Sequence, residues 1–168
     1  MEENLNKLES NQYRIFILDV DGVMTDGGFY YSSKGKVLKR FGPEDTDALG
    51  LINKIIEVRF ISADKKGFSI SKRRISKDMG YTLDLVTANQ RVNWIMERYK
   101  LSEVIYMGDS FRDIEVLKVV GFGITPGSAA RNVQSESDYT TDRHGGNGAV
   151  ADACFHIAEM FGVDIFQL

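Results

Sequence analysis

YRIFILDVDGVM, Tyr13 to Met24, is the stretch that decides the fold. Ile15 to Leu18, flanked by Tyr13 and Arg14, is an apolar run of strand length with β-branched character, and it stops at Asp19, Asp21 and Gly22. The pattern reads as a buried strand that delivers acids to its rim. Asp19 and Asp21 are two apart, so in a continuing strand both point to one face, and Gly22 lets the backbone turn closely around whatever they hold. Mg²⁺ takes hard oxygen ligands and usually keeps phosphate oxygens and waters among them, so carboxylates at a strand's carboxyl end suit a Mg²⁺ and phosphate site. An acid pair after a strand also suits a turn or a helix cap, and the rest of the chain has to choose.

Outward from that strand, Gly28 to Ser32 and Lys36 to Arg40 are short β-like runs around Ser33-Lys34-Gly35, a hairpin at about 28–40. Phe29, Tyr30, Tyr31 and Phe41 give it more aromatics than a solvated hairpin needs, which suggests a subunit interface. DTDALGLINKIIE, from Asp45, has helical spacing with Asp45, Thr46 or Asp47 able to cap its start. Val58 to Ser62 reads as a strand with Ser62-Ala63-Asp64 at its exit, and a helix from about Phe68 to Met79 ends at Gly80. Strands at Thr82–Val86 and Val104–Met107 flank a helix at Asn89–Tyr99, and a helix at Phe111–Val120 is closed by Gly121. Phe122–Thr125 and Tyr139–Thr141 add short strands around a brief helix at Ala129–Val133, and the last helix runs from near Asn147 to about Phe161. This alternation predicts an α/β fold, a three-layer α/β/α sandwich on a doubly wound, mostly parallel sheet. In such sheets the crevice lies outside the carboxyl ends of the strands, where Asp19, Ser62 and Asp109 emerge.

At 168 residues, 43% hydrophobic and 27% charged, the chain fits one ordinary domain at 13–168 behind a polar segment at 1–12. Its two prolines, Pro43 and Pro126, mark no linker. A net charge of −3 gives no broad basic field, which argues against nucleic acid or an anionic membrane as the main partner and suggests a cytoplasmic protein. The single cysteine, Cys154, lies in the apolar AVADACFHIAEMF and reads as a small buried hydrophobe, and no signal peptide or spanning stretch is expected.

DVDGVMTDG, Asp19 to Gly27, resembles the first motif of the haloacid dehalogenase superfamily of phosphotransferases, and GDSFRD, Gly108 to Asp113, resembles a second signature of the same superfamily. The hairpin and GGNGAV, Gly145 to Val150, are similar to the small capless subclass typified by 3-deoxy-D-manno-octulosonate 8-phosphate phosphatase, which includes the phosphatase-like tail domains of acylneuraminate cytidylyltransferases. The resemblance covers nearly all of Arg14 to Phe161. It implies that Asp19 is the nucleophile, that Asp21 is the acid and base and lends a main-chain carbonyl to Mg²⁺, and that Asp109 completes the protein ligands. A carboxylate accepts a phosphoryl group only if a cation cancels the repulsion between the two anions, so nucleophile and metal ligands must nearly coincide. Asp113, one helical turn beyond Asp109, is expected to orient the metal's ligands, and Ser62 and the neighbouring N–H at Ala63 to bind the phosphoryl group.

Two departures stand out. Where the resemblance implies a lysine before the third helix, ANQRVNW offers Arg91 as the nearest cation, a planar fork in place of a mobile point charge. Where it implies a glycine and an arginine after the phosphate-binding hydroxyl, the chain has Ala63 and Asp64, and an acid there repels a substrate carboxylate unless Lys65, Lys66 or Lys72 compensates. GGNGAV reads equally as an N-cap at Asn147 or as a pocket lining, and His144 before it as an exposed loop histidine. The leading function is a Mg²⁺-dependent phosphatase acting on the phosphate ester of a small acidic sugar, such as 3-deoxy-D-manno-octulosonate 8-phosphate or a related nonulosonate 9-phosphate. The alternative is a weakly active or non-catalytic oligomerisation module. A response-regulator receiver fits poorly, because the nearest phospho-accepting acid, Asp84, sits within LDLV and not beyond it. With only a hairpin between the first motif and the first crossover helix there is no cap domain, and a neighbouring subunit is expected to cover the site in a homotetramer.

Overall fold

The computed structural model describes residues 12–167, so the polar segment expected at 1–12 lies outside the described residues except for Gln12. Eight strands are described: β1 Ile15–Asp19, β2 Tyr30–Ser32, β3 Gly35–Leu38, β4 Glu57–Ser62, β5 Thr82–Leu85, β6 Val104–Met107, β7 Phe122–Thr125 and β8 Tyr139–Thr140. The helices are α1 Glu44–Ile52, α2 Phe68–Lys72 continued by a π-turn at Arg73–Asp78, α3 Arg91–Met96, α4 Ile114–Leu117, α5 Arg131–Gln134 and α6 Ala149–Met160.

β1 is buried along its whole length because both of its faces are covered. Phe16 and Leu18 join Leu49, Ile52, Cys154 and Ile157 in one core, and Ile15 and Ile17 join Ile95, Tyr106 and Val116 in a second core. The period of two in a strand sends alternate residues to opposite layers, so an unbroken apolar run is what a central strand requires. β4 pairs with β1 on one side, with Asp19 opposite Ile61, and β6 pairs on the other, with Leu18 opposite Met107. All pairings in the six-stranded sheet are parallel, in the order β5-β4-β1-β6-β7-β8. The strand order reverses at β1, and the ends of β1, β4 and β6 therefore open on one crevice. This is the three-layer α/β/α sandwich anticipated above. Between β1 and α1 the chain makes only the β2–β3 hairpin, held to the first motif by a bridge between Thr25 and Phe41.

Several helices are shorter than their periodicity suggests. The 111–120 segment is helical only at Ile114–Leu117, because the Asp113 carboxylate turns back to accept hydrogen bonds from the Ser110 N–H at 3.0 Å and hydroxyl at 2.9 Å and so holds the preceding residues in a turn. The expected cap of α1 is absent: Pro43 occupies that position without a side-chain bond, and Asp45 is fully buried. Its carboxylate accepts hydrogen bonds from the Ala151 N–H at 3.0 Å and the Gly148 N–H at 3.4 Å, so it caps α6 from across the α1–α6 contact. Asn147 is accordingly not the cap of α6; Gly148 is, with φ 98°, a left-handed conformation that suits glycine. Burial raises the Asp45 pKa, against the pull of those N–H groups.

Truncating a buried acceptor strands its donors, so Asp45→Ala is expected to lower stability by about 1–3 kcal/mol. Asp45→Asn, which keeps one acceptor oxygen, loses less; urea unfolding of both variants checks the order.

Candidate active site

The strand ends at Asp19, and the chain then folds into a turn in which Val20 O accepts hydrogen bonds from the N–H groups of Met24 at 2.9 Å and Thr25 at 3.1 Å. The strand period therefore does not carry Asp21 onto the face of Asp19; the turn places it. Gly22 has φ 90°, and a Cβ there would collide with the Asp109 carboxylate. Behind the same turn lies the loop from Gly145: a Cβ on Gly145 would strike Gly22 O, and the Gly146 N–H donates to Val23 O at 3.0 Å. GGNGAV is thus neither an Asn147 cap nor part of the cavity lining. It braces the first motif from behind, while His144 is exposed.

Asp19, Asp109 and Asp113 each turn one oxygen to a common point, all within 4.8 Å of one another. Asp113 is fully buried and arrives by the Ser110–Asp113 turn, not by a turn of helix. Its oxygens accept from the Ser110 N–H and hydroxyl, from the Tyr106 hydroxyl at 2.5 Å, and from Arg91 Nη1. Asp19 Oδ1 accepts from the Val20 N–H at 2.8 Å, and its Oδ2 from Arg91 Nη2 at 3.0 Å. Asp109 Oδ1 is buried without a hydrogen-bond partner. Burial pushes Asp109 up to about 7, helped by the neighbouring Asp113 charge. Burial likewise raises Asp19 to about 7, with Arg91 opposing and Asp113 and Asp109 adding to the shift. Hard oxygen donors, mutual repulsion and an unpartnered buried oxygen fit a divalent cation. Asp19, Asp109 and Asp113 are the acids whose oxygens could hold such an ion.

Arg91, 2% exposed, spans Asp19 and Asp113 and also donates to the Tyr106 hydroxyl at 2.8 Å. Ser62 is fully buried at the end of β4; its hydroxyl donates to Asp21 Oδ2 at 3.4 Å and accepts from the Asp64 N–H at 3.1 Å. Arg91, Asp19, Asp21 and Asp109, with Ala63 and Phe29, border a cavity of about 450 Å³, and Ser62 lies behind that lining. Asp64 does not face it as a bare charge: its Oδ2 lies 2.5 Å from Lys36 Nζ and 2.8 Å from Lys39 Nζ. Burial alone would raise Asp64, but the two lysines hold it at about 2. Lys65, Lys66 and Lys72 are exposed and take no part in that pairing. The compensating cations come from the hairpin.

Lys39 and Tyr106 are the residues that a local reading of the sequence misses. The Lys39 side chain is completely buried, with Nζ 2.7 Å from Asp21 Oδ1 and donating to Ser71 Oγ at 2.8 Å. Tyr106 is a hydroxyl-bearing ring in an otherwise aliphatic core strand, a signal that its tip needs a partner.

Asp64 falls from 3.8 in its ordinary state to about 2 in the fold, so its contribution is present above pH 3.8 and lost as pH drops through 2. Asp64→Asn is expected to cost about 2 kcal/mol at neutral pH, and the gap to the parent should close below pH 4 in urea titrations. Because Asp19 and Asp109 hold protons up to about pH 7, Mg²⁺ must compete with them. Thermal melts should show a larger Mg²⁺-induced rise in Tm at pH 8 than at pH 6, and none in Asp109→Ala.

The chain matches the haloacid dehalogenase-like hydrolase family over residues 2–153. It is similar to the 3-deoxy-D-manno-octulosonate 8-phosphate phosphatases of Salmonella typhi, at 29% identity, and Escherichia coli K12, at 28%, each over 156 residues that cover 87% of this chain and 79% of the relative. Among solved structures, the Moraxella catarrhalis 3-deoxy-D-manno-octulosonate 8-phosphate phosphatase, in complex with a magnesium ion, a phosphate ion and KDO, aligns with TM-score 0.79 at 26% identity, covering 95% of this chain and 93% of that one. The Yersinia pestis phosphatase of the same name aligns with TM-score 0.77 at 25% identity, covering 92% and 85%. The family match spans most of the chain, and the acids of both motifs meet at the reversal point of the sheet: the chain belongs to the haloacid dehalogenase-like hydrolases.

Proposed function

We propose that the chain is a Mg²⁺-dependent phosphatase that hydrolyses the phosphate monoester of a small acidic sugar, of the 3-deoxy-D-manno-octulosonate 8-phosphate or nonulosonate 9-phosphate type. The observation that carries this reading is the convergence of Asp19 and Asp109, the latter with a partnerless buried oxygen, at the mouth of one cavity. The similarity to phosphatases of an octulosonate phosphate supports the substrate class.

Asp19 attacks phosphorus, forming a carboxyl-oxygen to phosphorus bond while the bond from phosphorus to the sugar oxygen breaks. Asp21 gives that oxygen its proton, then takes one from the water that releases phosphate and restores Asp19. Mg²⁺, when bound, supplies the charge that cancels repulsion between the carboxylate and the phosphate dianion. Arg91 fixes one oxygen of Asp19, so the nucleophile presents a single geometry. Ser62 and the Ala63 N–H bind the phosphoryl group in this reading; it is supported by Ala63 on the cavity wall and by the Ser62 hydroxyl 3.4 Å from Asp21 Oδ2. Lys39 and Ser62 together hold the Asp21 carboxylate in place.

The alternative of a non-catalytic oligomerisation module drew on the missing lysine and on Asp64. Arg91 restores a cation to Asp19, and the hairpin lysines neutralise Asp64, so neither departure leaves the site without its charges. A homotetramer is part of the same proposal: Phe29, Tyr30, Tyr31, Val37 and Leu38 leave an apolar hairpin surface exposed, which a neighbouring subunit would cover. So is a cytoplasmic setting, supported by a single, buried, unpaired Cys154. Among the described residues no helix is long and apolar enough to cross a membrane.

Asp19→Asn is expected to abolish Mg²⁺-dependent turnover of p-nitrophenyl phosphate, and Asp21→Asn to slow it by roughly 10²–10⁴-fold. A parent protein with no Mg²⁺-dependent turnover across a panel of phosphorylated sugar acids would favour the module. Light scattering on the parent and on a chain lacking 28–40 tests the tetramer.

A further inference from the structure

The cations around the cavity differ in whether a carboxylate already holds them. Arg91 is spent on Asp19 and Asp113, Lys36 on Asp64, and Lys39 on Asp21 and Asp64. Arg112 also lines the cavity, yet among the described residues its guanidinium has no carboxylate partner. Its backbone is fixed: the Arg112 N–H donates to Ser110 Oγ at 3.2 Å within the turn that carries Asp109 and Asp113. Its side chain is exposed and stands 5.4 Å from the ring centroid of Phe111, itself 66% exposed. An aromatic face beneath a guanidinium steadies it without neutralising it.

Building on the phosphatase reading above, we propose that Arg112 is the specificity residue that binds the carboxylate of the sugar acid while the phosphoryl group sits at Asp19. The other walls are unsuited to that task. Asp19, Asp21, Asp64 and Asp109 make the cavity acidic, and a carboxylate approaching Lys36 or Lys39 would have to displace Asp64. A planar guanidinium meets a carboxylate through two parallel hydrogen bonds, which a phosphate ester lacking that group cannot exploit. The position following Ser62 and Ala63, from which the resemblance implies an arginine, holds an acid in this chain; a base at the rim of the second motif supplies the missing charge from another element.

The test compares kcat/KM for 3-deoxy-D-manno-octulosonate 8-phosphate with that for mannose 6-phosphate, a primary phosphate ester without a carboxylate, in the parent, Arg112→Ala, Arg112→Lys and Lys36→Ala. A charge-assisted pair of this kind is worth about ten- to a hundredfold. The ratio of the two kcat/KM values is expected to fall by that factor in Arg112→Ala, through KM for the sugar acid, and to recover in part in Arg112→Lys. A parent that prefers the sugar acid together with an unchanged ratio in Arg112→Ala, or a fall confined to Lys36→Ala, overturns the role of Arg112 and leaves the phosphatase reading intact. A parent with no preference for the sugar acid overturns both.

Discussion

Repulsion among Asp19, Asp109 and Asp113, crowded at the carboxyl end of a buried strand, is the constraint around which the rest of the molecule is arranged. Carboxylates taken out of water are costly unless each is paired or hydrogen-bonded, and the protein treats the three differently. Asp113 is saturated by Ser110, Tyr106 and Arg91. Asp19 is half satisfied, with one oxygen on the Val20 N–H and the other on Arg91. Asp109 is left with a buried oxygen that no protein group hydrogen-bonds. This gradient of satisfaction separates support from chemistry: the most satisfied acid holds the frame, and the least satisfied is poised for a cation.

A second constraint is spatial. Gly22 lies between the Asp109 carboxylate on one side and the Gly145 backbone on the other, and neither gap has room for a methyl group. The first motif is thereby packed directly against the Asp109 carboxylate of the second motif and against the backbone of the last loop. The Asp45 carboxylate then ties that last loop to α1 through the Gly148 and Ala151 N–H groups, so the helix after the hairpin and the final helix share one anchor. A shift in any of these pieces moves Asp21 relative to Asp109.

Legibility in the sequence followed the range of the interaction. β1 could be read from its own residues, because an apolar run ending in acids needs only local periodicity, and the parallel sheet from the alternation of such runs with helices. Pairings across the fold had no local trace. Asp45 looked like a cap for its own helix because the rule for caps is local; its true donors are more than a hundred positions away. Lys39 carries no local signal of its role, since only the folded chain brings Asp21, Asp64 and Ser71 around it. Asp113 reads from its spacing as one helical turn beyond Asp109, and the Ser110 turn delivers it instead.

The exchange of a lysine for Arg91 follows from that arrangement. A lysine offers one ammonium on a mobile stem, suited to bridging nucleophile and phosphate. Arg91 has separate N–H groups for Asp19 and Asp113, and Tyr106 fixes the plane of the fork through its hydroxyl. Burial would disfavour its charge, but Tyr106 and the two carboxylates raise its pKa, so the cation is permanent. A static clamp of this kind gives up mobility and gains orientation. What Arg91 gives up is not recovered from the hairpin lysines, which Asp21 and Asp64 hold; among the described residues the cavity's cation without a carboxylate partner is the exposed Arg112.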